Sequence, residues 1–329
     1  MIDAFRDGLG RVRRAPSLVA SLWLSTLGLA IGPAVVVHAL IEDHLGSSLM
    51  ADSAAAVVNF DWWNEFLAQA TGLGQTFVPA VLGFAAVLDN LGRLADRKEL
   101  TPVLGALVGA QLLLSLFLSG GLLDRLARDR VVGAGAFFSA CGVWFWRFLR
   151  LAAIAAPIYL FLFGTVHPWL FDDWYVDWTR NLAVERQAFS VRLAFYALFT
   201  ALVCGVNVLF DYAKIRAVVE DRRSMLGALA AGGRFVARHP GRTLTLYLMD
   251  LGLAILVAGA YYLAAPGAGS GLGAFAVGQA YIVLRVMVRL QFMASQTALF
   301  QSRLAHAGYV ARPVPRWPDS PAAEAIGPG

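Results

Sequence analysis

Residues 243–264 read TLTLYLMDLGLAILVAGAYYLA, an unbroken apolar run with one charged side chain, Asp250, set about a third of the way in. About 20 mainly apolar residues in a helix cross the hydrocarbon core of a bilayer, so this run is long enough to span. Its apolar residues are continuous rather than alternating, which argues against a strand, and lipid would leave any open sheet edge unpaired. A carboxylate at membrane depth costs roughly 2.5–3.5 kcal/mol on insertion scales, so Asp250 is expected to have a partner or a task.

The rest of the chain repeats the pattern. Runs at 17–41, 103–122, 149–170 and 191–210 meet the same criterion, as does 275–298 despite Arg285 and Arg289. With 58% apolar and 15% charged residues and a mean hydropathy of +0.63, the chain falls outside the range of an ordinary soluble domain. The expectation is an all-α integral membrane protein of six spans, one polytopic domain over 1–310, in the inner (cytoplasmic) membrane of a bacterium. The run at 17–41 follows the basic RVRR of 11–14 but exceeds a typical signal-peptide core, and is read as a retained first span.

Placing both termini in the cytoplasm puts 19 of the 27 Lys and Arg residues on inside segments and 5 on outside ones, in line with the positive-inside bias. One stretch competes with this count. TFVPAVLGFAAVLDNLG, 76–92, is apolar but short and interrupted by Pro79 and Asp89, and is expected to be interfacial or re-entrant within an outer segment, 42–102. The tryptophans of DWWNEFL, 61–67, and WLFDDWYVDW, 169–178, fall at the outer interface and Trp144 and Trp146 at the inner one, as aromatic belts require.

An offset of 224 residues lays AFRDGLGRVRRAPSLVASLWLSTLGLA, from Ala4, over ALAAGGRFVARHPGRTLTLYLMDLGLA, from Ala228, with eleven identical pairs that include Gly8/Gly232, Arg14/Arg238 and Pro16/Pro240. Each copy is a basic amphipathic segment, a proline break and a span. That order predicts an elbow helix along the cytoplasmic interface, arginines toward anionic headgroups, before the chain turns into the bilayer. LLDRLARDRVVGAGAFFSACGVWFWRFLR, 122–150, takes the equivalent middle position, and LLDR, 122–125, and LFDY, 209–212, both put Asp at an inner span end. Three units of an elbow and two spans are therefore expected.

The stretch DYAKIRAVVEDRRSMLGALAAGGRFVARHP, 211–240, with the span after it, resembles bacterial six-helix families similar to the membrane domain attached to some glycerophosphodiester phosphodiesterases. The resemblance implies a helical membrane module without assigned catalytic residues, and no phosphodiesterase domain accompanies it here.

Enzyme signatures are absent from the sequence: no GxSxG, HExxH or Walker loop occurs in recognisable context. GAGSGLG, 267–273, lacks the strand and helix of a phosphate loop and is read as a turn. Ser21, Ser25, Gly28 and Gly32 on the first span, and Tyr196, Thr200, Cys204, Asn207 and Asp211 on the fourth, suit close helix packing, with a polar substrate path as the other reading. His38 and Glu42, with Asp43 and His44 beside them, are too few at fixed spacing for a metal site and suit a hydrated interface. Cys141 and Cys204 suggest neither a disulfide nor a metal site. The Pro-rich tail, 311–329, has little that could pack and is expected to be disordered.

The charged residues within spans, Asp250, Arg285 and Arg289, form the candidate site. Arg285 and Arg289 are four apart and share a helix face with Gln296, so one stripe can point inward, and rise per residue puts Asp250 at nearly the depth of Arg289, so an Asp250–Arg289 pair is expected. No catalytic, cofactor-binding or metal-binding residue is expected. Expected partners are membrane lipids, with a membrane-protein partner or a second copy of the chain, and no nucleic acid. The functional expectation is a non-enzymatic component or subunit in transport or envelope assembly. The alternative is a transporter of an anionic or lipid-like substrate working through Asp250, Arg285 and Arg289.

Overall fold

A computed structural model describes residues 1–56, 59–78, 83–98, 100–265 and 271–304. The expected disordered tail, 311–329, and most of the Gly-rich turn lie outside the described residues. Among those described there are helices and connecting turns and no strand. In order they are α1 (Ile2–Arg13), α2 (Pro16–Ser47), α3 (Ala51–Ala56), α4 (Phe60–Gln69), α5 (Ala85–Ala95), α6 (Pro102–Arg128), α7 (Ala134–Phe161), α8 (Tyr175–Thr179), α9 (Glu185–Val219), α10 (Met225–Arg238), α11 (Pro240–Ala264) and α12 (Gly271–Gln301). Six helices are long and apolar enough to cross a membrane: α2, α6, the continuous run from α7 through α8, α9, α11 and α12.

The helix starts follow from local chemistry. Pro16, Pro102 and Pro240 occupy the first turns of α2, α6 and α11, where a missing N–H costs nothing and the fixed φ suits the helix. The Thr101 side chain caps α6 by accepting from the Leu104 amide, and Ser224 caps α10 by accepting from Gly227. α7 departs from the expected span at 149–170. It begins at Ala134 and passes Pro157 into π-helical turns at Leu162–Val166 and Trp169–Trp174, so the helix runs unbroken to Thr179. The described part of 76–92 forms a 3₁₀ turn and the start of α5, whose eleven residues reach only ~16 Å, too short to cross.

One end of the bundle gathers α1, the α6–α7 turn, the α9–α10 turn and the close of α12, and is here called the basic end. There α1 packs on α12, α7 on α6 and α10 on α9. Two of these contacts require glycine. A Cβ on Gly8 would stand 2.8 Å from the Ser295 backbone nitrogen, and one on Gly232 would stand 2.9 Å from that of Ala213. Polar bonds finish the end: Arg11 donates to the Leu126 carbonyl and to Gln301, Arg14 pairs with Asp129 at 2.6 Å, and Arg147 with Asp221 at 2.7 Å. The Asp129 hydrogen bond and charge raise the Arg14 pKa.

The other end is packed differently. No residue of α2 beyond Leu22, of α6 before Leu118, of α11 after Asp250 or of α12 before Val288 is buried. Two smaller clusters sit there instead: Trp62, Trp63 and Phe66 of α4 against Ile41 and Leu45 of α2, and Leu162 and Leu170 against Phe195 and Phe199 of α9.

Candidate functional site

Where the packed and open halves meet, a cavity of about 590 Å³ lies between α2, α6, α9, α11 and α12. Its wall on α12 carries Ile282, Arg285, Val286, Arg289, Met293 and Gln296 at steps of three and four, one helix face. α9 contributes Asn207, Asp211 and Lys214, α6 contributes Gln111 and Ser119, α11 contributes Tyr247 and α2 contributes Thr26. The second predicted polar stripe thus divides: Asn207 and Asp211 reach the cavity, whereas Tyr196 lies nearer the open end, bonded to Asp96.

Charge in the cavity is unbalanced. Lys214 is bonded to Asp211 at 2.8 Å, so the one carboxylate of the lining is already engaged. Arg289 reaches Ser115 Oγ at 3.4 Å, a long contact, and Arg285 makes no hydrogen bond or salt bridge with a described residue. Three cations against one anion leave the lining with two excess positive charges. Gln296 sharpens this. It is 2% exposed, and neither its amide nitrogen nor its amide oxygen has a partner among the described residues. Gln111 likewise leaves its Oε1 unpaired. A buried polar group without a partner costs roughly 1–3 kcal/mol, and both glutamines line this cavity.

Asp250 is fully buried, as its place in the apolar run requires, but its expected pairing with Arg289 is not what the structure shows. Ser295 Oγ donates to Asp250 Oδ2 at 2.5 Å, and among the described residues no salt bridge joins Asp250 to Arg285 or Arg289. The helix ends explain the difference. α11 starts at Pro240, ten residues before Asp250, and α12 runs on to Gln301, so equal depth from the basic end falls at Gln291, ~15 Å in, and not at Arg289. At that level Gln291 donates to the Phe5 carbonyl of α1 at 3.0 Å, tying α1, α11 and α12 together. The three candidate residues therefore divide into two arginines facing the cavity and one carboxylate packed outside its lining.

One sequence reading is corrected here. Close packing was expected of the small-residue stripe on α2, yet a Cβ on Gly28 or Gly32 meets nothing within 4 Å, and the Ser21 and Ser25 hydroxyls bond carbonyls of their own helix. The tight glycines are Gly8, Gly120, Gly121 and Gly232. His38 and Glu42 touch at 3.7 Å on an exposed face, while His44 accepts from Trp62 Nε1 at 3.1 Å. The sequence placed Gln296 on one face with the two arginines, and all three line the cavity; it missed Gln111 and Lys214, which only the fold brings to them.

Toward the open end a second cavity, about 260 Å³, lies between Asp96, His167, Phe171, Asp172, Tyr175, Val176 and Arg192. Arg192 and the neighbouring Tyr196 both donate to Asp96, and His167 Nε2 bonds the Ala95 carbonyl at 2.7 Å. No family model, curated protein or solved structure matches this chain.

Proposed function

We propose that this is a non-enzymatic multi-pass membrane protein that holds an anionic group in its central cavity, as a lipid-associated component of transport or envelope assembly. One observation carries the reading: Arg285 and Arg289 face a cavity of about 590 Å³ whose only carboxylate is bonded to Lys214. An uncompensated guanidinium at membrane depth is costly unless something pairs with it. The cavity volume lies inside the roughly 300–1,000 Å³ range of small-molecule sites.

A second reading, a transporter in its own right, is favoured by the position of the cavity among five helices and by the open packing on one side of it. Within the proposal the basic end is cytoplasmic, the membrane is a bacterial inner membrane, and α1 and α10 are elbow helices whose exposed arginines, Arg6, Arg13, Arg234 and Arg238, meet anionic headgroups, while Arg11 is turned inward. The 224-residue repeat supports three two-span units, because Gly8 and Gly232 are matched in sequence and each docks on the backbone of a span ending at the basic end. The resemblance of 211–240 to membrane domains of phosphodiester-handling proteins points the same way without assigning an activity.

Reconstitution separates the two readings. Protein in liposomes, tested for counterflow of labelled phosphate, sulfate and a short-chain anionic lipid, is expected to bind an anion and to lose binding in Arg285→Gln plus Arg289→Gln. Flux of the same anion assigns transport. Binding without flux, with co-purification of a fixed protein partner, assigns the assembly role. Anion binding unchanged in the double variant would remove the basis of both.

A further inference from the structure

We infer that the ligand of the central cavity is a phosphorylated amphiphile, its phosphate between Arg285 and Arg289 and its apolar tail leaving through the open half of the bundle. The inference rests on the anion-binding reading above and narrows it to a chemical class.

The headgroup is specified by the donors. Arg285 and Arg289 are four residues apart on one face of α12, so their guanidinium forks approach one small anion from successive turns. A guanidinium presents paired N–H groups matched to phosphate or carboxylate oxygens, and two of them carry the charge of a dianion. A phosphomonoester meets that demand with one group, whereas a single carboxylate leaves one guanidinium unmatched. Gln296 lies toward the basic end from the arginines, 2% exposed, with a free donor and a free acceptor. A carboxylate or a bare ring of arginines would use only the donor. A phosphate with a hydroxyl beside it uses both, its oxygens accepting from Nε2 and the hydroxyl donating to Oε1.

The tail is specified by the packing. Toward the basic end the cavity is closed by the core that includes Leu123, Ile215 and Val219. Toward the other end the cavity is unclosed: Ile282 lies one turn beyond Arg285, Gln111 is a polar group of the lining on that side, and α12 has no buried residue before Val288, nor α11 after Asp250. A ligand lying along this path has its charge at the closed end and hydrocarbon at the open end, the polarity of a lipid lying head-down. A free inorganic anion satisfies the arginines but leaves the apolar part of the cavity unfilled.

The test uses the purified full-length chain in a neutral detergent, titrated by calorimetry with four probes: dihexanoyl phosphatidic acid, dihexanoyl phosphatidylcholine, inorganic phosphate and hexanoate. Phosphatidic acid is expected to bind at least tenfold more tightly than each of the others. Arg285→Gln and Arg289→Gln are each expected to weaken it tenfold or more, with Arg285→Lys intermediate, and Gln296→Leu several-fold with the preference over hexanoate reduced. Circular dichroism and a single gel-filtration peak establish that each variant is folded, and Arg285→Lys keeps the comparison open should the glutamine variants aggregate. Inorganic phosphate binding as tightly as phosphatidic acid would overturn the amphiphile while leaving the anion site standing. Equal hexanoate binding would overturn the phosphate assignment. If no probe binds, or binding ignores the arginines, both this inference and the reading beneath it fail.

Discussion

At the scale of single residues, Asp250 and Gly8 show how one position serves several helices. The Asp250–Ser295 bond is buried, so removing the hydroxyl leaves carboxylate oxygens with no donor from that side. Ser295→Ala is expected to cost about 1–3 kcal/mol, read as a lower melting temperature in detergent. Because both groups belong to one contact, Asp250→Asn combined with Ser295→Ala should cost less than the two single changes added together. Strict additivity in that cycle would mean the two side chains do not act as a pair. Gly8 is a matter of distance alone. A methyl there meets the Ser295 backbone at 2.8 Å, whereas one at Gly28 meets nothing. Gly8→Ala is therefore expected to destabilise by about 1–3 kcal/mol and Gly28→Ala to be neutral or slightly stabilising; the reverse order of melting temperatures would contradict the α1–α12 contact. The sequence made the burial of Asp250 legible through its apolar neighbours. Its partner was not legible, because an error of three residues at each helix end shifts relative depth by more than one turn.

At the scale of elements, α5 spans a gap that the sequence left undecided. Phe84, just before it, packs against Tyr261 and Tyr262 near the end of α11, and just after it Asp96 accepts from Arg192 and Tyr196 of α9. The short helix thus straps two spans together at the open end. Its anchor groups are partly exposed, and such pairs contribute about 0.2–1 kcal/mol. Asp96→Ala should raise hydrogen exchange across 85–96 about twofold to fivefold and leave 208–219 unchanged. Uniform exchange in both segments, before and after the change, would show that the strap is not held there. Shortness, Pro79 and Asp89 favoured an interfacial or re-entrant segment over a span; which spans it joins depends on contacts far along the chain. The α2 stripe failed for a related reason: small residues look the same in sequence whether they meet a neighbouring helix or an open face.

At the scale of the whole molecule, a pattern recurs that the 224-residue repeat only hinted at. Phe117-Leu-Ser-Gly120 in α6, Phe210-Asp-Tyr-Ala213 in α9 and Phe292-Met-Ala-Ser295 in α12 each place a small residue three after a phenylalanine. Each of those small residues is a close-contact point: Gly120 against Trp144, Ala213 against Gly232 and Ser295 against Gly8. Sidedness is the matching prediction. With Cys141→Ser and Cys204→Ser as background, Glu65→Cys and Asp177→Cys should react with an impermeant maleimide applied to intact cells, and Arg223→Cys should react only after permeabilisation. Reaction at 223 in intact cells, with 177 protected, would invert the orientation. The six long helices were legible because each is a local, continuous apolar run. The cavity was not, since its polar groups come from five helices that the chain visits between residues 26 and 296.

The contrast between the two halves also makes α2 a lever held mainly at one end. In α2 the last buried residue is Leu22 and the helix runs on to Ser47, a free arm of ~37 Å. A tilt of about ten degrees at the clamp carries the tip ~6 Å at that arm length, wider than one hydrocarbon chain, while the clamp itself moves almost nothing. The tip is not bare: Ile41 and Leu45 hold the tryptophan-bearing α4, so a swing of the arm would carry α4 with it. Motion of that arm would reach the cavity through Thr26, one turn past Leu22.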